Sequence, residues 1–258
     1  MLAEFGVRIG SHLVHLGGID ATAPETLPED LNAAADASPL RTLDPEAEAR
    51  MIALIDVTKR AGNTLGGICE VVVDGLPVGL GSHVSWDRKL DGRLAGMLMS
   101  VPAVKAVEIG LGVEAARRPG SQVHDGIEGA ADRPPRAGDP RGGFRRRTNN
   151  AGGLEGGITT GEPVVVRVAM KPISTLMSPL PTVDLTSGEA ANAQSERSDV
   201  TAVPAVGVIA EAMVALVLAD AMLEKFGGDS LGEMRRNYQG YLAALGSRWV
   251  RGREAAED

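Results

Sequence analysis

Cysteine is almost missing from these 258 residues. Cys69 is the only one, so neither an intramolecular disulfide nor a cysteine metal cluster can form, and a reducing, cytoplasmic setting fits. Its surroundings, "GGICEVVVDGLP", read as those of a small buried hydrophobe rather than a reactive thiol. Aromatic residues make up 3% of the chain. Ala, Val, Leu, Ile and Met must therefore fill the core, and the interleaved rings that stack on bases are lacking. Positive charge is scarce too. With 26 Lys and Arg against 34 Asp and Glu the net charge is −8, the wrong sign for neutralising phosphates over a broad surface, so nucleic acid is not expected as a partner.

No long apolar run is free of charge. The best candidate, Val203 to Leu223, contains Glu211 and Asp220 and opens with Pro204, which predicts a buried helix and no membrane span. The opening "MLAEFGVRIGSHLVHLGG" lacks a basic region followed by an apolar core and a cleavage site, so it is not read as a signal peptide. There are 4 histidines. His12 and His15 read as strand-surface residues with no carboxylate cluster to complete a metal site. His124-Asp125 is either an oriented acid–base pair or a solvated turn.

What is present is a 43% hydrophobic chain with 33 glycines, enough for one substantial core. The patterning predicts a strand or strand pair over 5–16, an exposed connection over 20–45, and a helix opened by Asp44-Pro45 and closed by Gly62. Ala47, Met51, Leu54, Ile55 and Val57 supply that helix's apolar face. A strand over 67–76 follows, then a helix capped by Ser85 or Asp87 that carries Leu90, Leu94, Met97 and Leu98, then a strand over 103–109. Prolines and glycines predict a mobile loop over 126–143. Arg133, Arg136, Arg141, Arg145, Arg146 and Arg147 form the only basic cluster. A strand over 164–170, a turn region over 179–189, a long helix from Pro204 to the Gly227-Gly228 stop, and a last helix from about Ser230 complete the chain. That last helix places Leu231, Met234, Tyr238 and Leu242 on one face. The fold class is α+β. One domain is expected over 1–245, with a charged, fraying tail over 246–258.

Two segments have chemistry in view. "GGLEGGITTG" follows a polar loop and precedes a strand, so it is neither a dinucleotide fingerprint nor a P-loop. Its glycines serve either structural turns or the close approach of a flat or anionic ligand to backbone N–H groups. Lys171-Pro172-Ile173-Ser174-Thr175 adds an ammonium and two hydroxyls at a strand end. Arg197 and Asp199 precede the long helix, either as an anion site at its positive end or as a surface ion pair.

Taken in order, "GLPVGLGSHVSWDRKLDGRLAGMLMSVPAVKAVEIG", "RRPGSQVHD", "RRTNNAGGLEGGITTGEPVVVRVAMKPIST" and "ERSDVTAVPAVGVIAEAMVALVLADAMLEKFGGDSL" resemble chorismate synthase, over most of the chain to about Tyr241. The resemblance implies a layered β-α-β sandwich and a homotetramer. It also implies reduced FMN as cofactor, with NADPH as a candidate reductant. The reaction implied is loss of phosphate from 5-enolpyruvylshikimate 3-phosphate to give chorismate. By resemblance, Ala103, Gly156, Lys171, Pro172, Ile173, Ser174 and Thr175 contact the flavin, Ala103 across a subunit interface. Arg197 binds FMN or substrate anions, and Asp199 moves a proton near flavin N5. The resemblance further implies that the family's N-terminal third, with two acid histidines and several phosphate-binding arginines, is absent from this chain. Pro102, Asn150 and Thr160 depart from the family pattern, each removing a donor or side-chain contact.

Overall fold

The computed structural model describes residues 1–129, 139–141 and 143–254. Its frame is a five-stranded, wholly antiparallel sheet in the order β2-β1-β3-β9-β4. These strands are β1 Arg8–Leu16, β2 Ile19–Asp20, β3 Gly67–Asp74, β4 Val104–Ile109 and β9 Val164–Met170. Alternation makes one face apolar. Cys69, Val71 and Val73 stand opposite Val168, Val166 and Val164, and all six are buried. Each buried valine contributes about 1.5–3 kcal/mol of transfer free energy.

A helix layer covers that face: α3 Leu90–Met99 and α4 Val203–Phe226. α4 opens with Pro204 in its first turn and stops at Gly227, as expected. It comes so close to the sheet that a Cβ at Gly207 would stand 2.9 Å from Ser11 Oγ and 3.3 Å from Cys69 Sγ. Among the described residues α4 is the one helix long and apolar enough to cross a membrane, and 44% of its apolar window is buried. α2 Pro45–Arg60 is capped by Asp44, whose carboxylate accepts from the N–H groups of Glu46 and Ala47. Ala47 and Met51 are buried, whereas Val57 is exposed. α5 Leu231–Glu254 buries Met234, Tyr238 and Leu242 and leaves Leu231 exposed. It runs through much of the segment expected to fray.

Several expectations are corrected. Residues 20–45 are more than an exposed connection. They contain α1 Leu31–Asp36, bury Leu31, Ala35 and Leu40, and lay Thr42 beside Leu13 along the edge of β1. Asn32 and Arg41 join Ser11 and Glu211 there: Ser11 Oγ donates to Glu211 at 2.6 Å and Asn32 Nδ2 at 2.9 Å. Sequence periodicity is blind to such a polar cluster. α3 begins without a side-chain cap, because Ser85 and Asp87 bond to each other around a separate 3-10 turn, Trp86–Arg88. The turn region after β9 is a hairpin, β10 Pro181–Val183 with β11 Ala190–Asn192.

The expected loop over 126–143 has paired flanks, β5 Ile127–Gly129 with β6 Phe144–Arg146. Residues 130–138 and 142, with Arg133 and Arg136, lie outside the described residues. The rest of the basic cluster is largely neutralised, through Arg141–Asp139, Arg146–Glu155 and Arg147–Glu128 pairs. His12 is not a strand-surface residue. It is buried, with Nε2 3.2 Å from Glu70 Oε1.

Candidate functional site

The C-terminal end of β9 is where the chemistry-bearing residues converge. Lys171 N donates to Ala103 O at 2.9 Å, joining the end of β9 to the start of β4. Ala103 itself has φ 69, a left-handed conformation that a residue with a Cβ adopts only under constraint. Past Lys171 the backbone is held from two sides. Thr64 Oγ1 donates to Ile173 O at 2.7 Å, and Ser198 Oγ donates to Thr175 O at 2.9 Å. Val200 O accepts from Leu65 N at 2.7 Å. Ser198 and Val200 flank Asp199 and follow Arg197, so the link into α4 is fixed against the same connection that fixes Lys171–Thr175.

The structure therefore brings Ala103, Lys171, Pro172, Ile173, Ser174, Thr175, Arg197 and Asp199 to one surface. Lys171, Pro172, Ser174, Arg197 and Asp199 are exposed. Among the described residues, the side chains of Lys171, Arg197 and Asp199 have no ion-pair or hydrogen-bonding partner, so the surface-pair reading of Arg197 and Asp199 has no contact behind it. Ammonium, guanidinium and hydroxyl groups are the side-chain types that bind phosphate.

Gly156 is not part of this surface. It lies in the turn between β7 Leu154–Glu155 and β8 Ile158–Thr159, at the other end of β9. Six residue steps of strand, roughly 20 Å, separate the two ends. The glycine loop is mostly structural. A Cβ at Gly152 would stand 2.3 Å from Gly110 N, at Gly153 2.4 Å from Pro163 O, and at Gly157 2.8 Å from Ser82 O. Only Gly156 of this group opens onto free space, with φ 63. Sequence reasoning missed what anchors the loop. Asp125 is buried, and its carboxylate accepts from Thr148 Oγ1, from Asn150 N at 2.8 Å and from Ala151 N at 2.9 Å. It is thus committed to the loop rather than paired with His124.

A cavity of about 450 Å³ lies between Met1, Glu4, Leu223 and Leu231, and one of about 150 Å³ lies by Val78, Phe144 and Thr160. Neither reaches Lys171 or Arg197. Among the described residues no group of three or more His, Cys, Asp or Glu side chains is placed to hold a metal ion.

A family model for chorismate synthase matches residues 1–223. The chain belongs to the chorismate synthase family. A chorismate synthase from Geobacter metallireducens is 59% identical over 246 residues, covering 95% of this chain and 62% of the relative. One from Geobacter sulfurreducens is 58% identical over 241 residues, 93% of this chain and 61% of the relative. A crystal structure of chorismate synthase superposes with a TM-score of 0.78 at 41% identity, covering 95% of this chain and 66% of that one. The chain thus spans about three fifths of the length of the curated relatives it matches. The α+β fold class is that of the family.

Proposed function

We propose that the chain carries one wall of a chorismate synthase site, where phosphate leaves 5-enolpyruvylshikimate 3-phosphate as chorismate forms. The observation that supports this is the convergence of Ala103, Lys171–Thr175, Arg197 and Asp199 at one end of β9, with neither cation in an ion pair among the described residues. The elimination breaks one C–O bond to phosphate and removes one C–H proton, with no net redox change. When bound, reduced FMN supplies electron density to the substrate as the phosphate departs. The donor set of Lys171, Ser174 and Arg197 fits the phosphate end of that cofactor. In this reading Arg197 neutralises a phosphate that gains charge on leaving. Asp199 is the carboxylate available to accept a proton from substrate or flavin. NADPH as reductant, a homotetramer, a cytoplasmic setting and a single domain over 1–245 belong to the same reading.

The open surface around these residues favours a second reading, that the isolated chain binds flavin or anions but turns over poorly. Gly156 lies far from Lys171, and a flavin reaction needs water excluded. Chorismate formation with reduced FMN is therefore expected to fall at least about a thousandfold below ordinary enzyme rates. Turnover near one per second would refute that expectation and place a complete site in these 258 residues. FMN fluorescence titration tests the binding: no change in emission, with or without the rest of the family's length supplied, would dismiss both readings.

A further inference from the structure

The connector between α2 and β3 carries none of the residues assigned to the site, yet it holds both segments that do. Thr64 is buried on it. Beyond Met170 the chain leaves the sheet, and the carbonyl of Ile173 accepts from Thr64 Oγ1 at 2.7 Å instead of from a strand N–H. The next residue, Leu65, donates its N–H to Val200 O at 2.7 Å, on the link into α4. Two adjacent residues thus grip two distant stretches of chain. Lys171 stands two residues before Ile173 and Arg197 three before Val200, so the backbone of each cation lies within roughly 7 Å and 11 Å of its grip along the chain.

The connector is itself fixed. A Cβ at Gly66 would stand 2.5 Å from Met170 O and 2.9 Å from Pro172 Cδ, so the connector packs directly on the start of the Lys171–Thr175 segment. Gly66 O accepts from Gly17 N at 3.0 Å in the β1–β2 turn, and at the other end Gly62 O accepts from Ser178 N at 3.0 Å. The result is a crossbar between the two cation-bearing segments. A segment that has left its sheet must otherwise be ordered by the ligand, and that ordering is subtracted from affinity. Cations on separate segments share one phosphate without that cost only if their spacing is set beforehand. We propose that Thr64 is a positioning residue for phosphate binding, its hydroxyl holding the Lys171 segment at a fixed spacing from the Arg197 segment so that both cations meet one phosphate. This rests on the proposed flavin site, and adds to it a residue that acts through the Ile173 backbone.

The test is titration of the full chain with FMN and with riboflavin, which lacks the phosphate. Thr64→Val keeps the shape and removes the donor to the Ile173 carbonyl. It should weaken FMN about fivefold or more and riboflavin less than about twofold. Thr64→Ser restores the hydroxyl and should bind FMN within about twofold of the parent, a rescue that a purely steric role would not show. In an Arg197→Gln background, Thr64→Val should cost less than about a further twofold, because a single cation has no partner to be spaced from. Thr64→Ala is the second hydroxyl-free variant should thermal melts show that valine disturbs folding. Equal weakening of the two flavins, additive losses with Arg197→Gln, no rescue by Thr64→Ser, or unchanged FMN affinity in the hydroxyl-free variants each overturns the positioning role and leaves the flavin site standing. A parent chain that binds neither flavin overturns the site and the positioning role together.

Discussion

Glu70 on β3 and Arg167 on β9 face each other across the sheet, with Arg167 Nε donating to Glu70 Oε2 at 2.7 Å. The other carboxylate oxygen meets His12 on β1 at 3.2 Å, and Glu108 on β4 lies across from Arg167. Four strands are thus crossed by one row of ionisable residues, on the face away from α4. Burial pushes the Glu70 carboxyl up, but the His12 hydrogen bond and the Arg167 charge outweigh it and hold the group below its ordinary value of 4.5.

Replacing that carboxylate should cost stability in a pH-dependent way. A carboxyl held low in the folded state stabilises fully above its unfolded value, about 4.5, and loses that contribution as pH falls through the folded value. Glu70→Gln keeps the shape and removes the charge. Arg167 is 35% exposed, so part of its charge stays hydrated, and the loss near neutral pH should be about 1–3 kcal/mol. Urea unfolding should show the gap between variant and parent narrowing toward pH 3. A gap that stays constant would mean that Glu70 does not act through its charge.

The glycine loop offers a contrast between neighbours. Gly152 and Gly156 both have positive φ, 62 and 63, so alanine at either meets about 1–2 kcal/mol of backbone strain. Only at Gly152 would the new Cβ also strike main chain, 2.3 Å from Gly110 N. Gly156→Ala should therefore cost about 1 kcal/mol, and Gly152→Ala about 3 kcal/mol or more. Thermal melts of the two variants compare them directly, and equal losses would contradict the packing described here.

Much of the frame is legible because apolar periodicity reports burial. β9 falls on Val164–Met170, α2 falls between Asp44 and Gly62, and α4 runs from Val203, with Pro204 in its first turn, to Gly227, so that a cap, a proline and a glycine stop mark the ends. The polar interior was hidden. Glu70 within "CEVVVD" and Arg167 within "VVVRVAM" each interrupt an apolar strand, and two such interruptions signal a cross-strand pair only once register is known. The Ser11–Asn32–Arg41–Glu211 cluster joins residues up to 200 positions apart, which no local pattern encodes. For the site, motif order named Lys171–Thr175 and Arg197. The hydrogen bonds from Thr64 and Ser198 that hold their backbone come from tertiary contact alone. The same limit separated Gly156 from Lys171, since adjacency in a motif says nothing about which end of a strand a loop occupies.

Lys171 and Arg197 give the sharpest test of the cofactor reading. Both side chains are exposed and lack an intramolecular partner among the described residues, so Lys171→Gln and Arg197→Gln should shift the melting temperature by less than about 2 °C. A guanidinium or ammonium on a phosphate is a charge-assisted contact, and its loss should weaken FMN at least about tenfold. Riboflavin has the same ring and no phosphate, so its affinity should change much less. Parallel titrations with the two flavins separate the possibilities. If both ligands weaken equally, these cations do not hold a phosphate; if neither weakens, the exposed end of β9 is not the flavin wall.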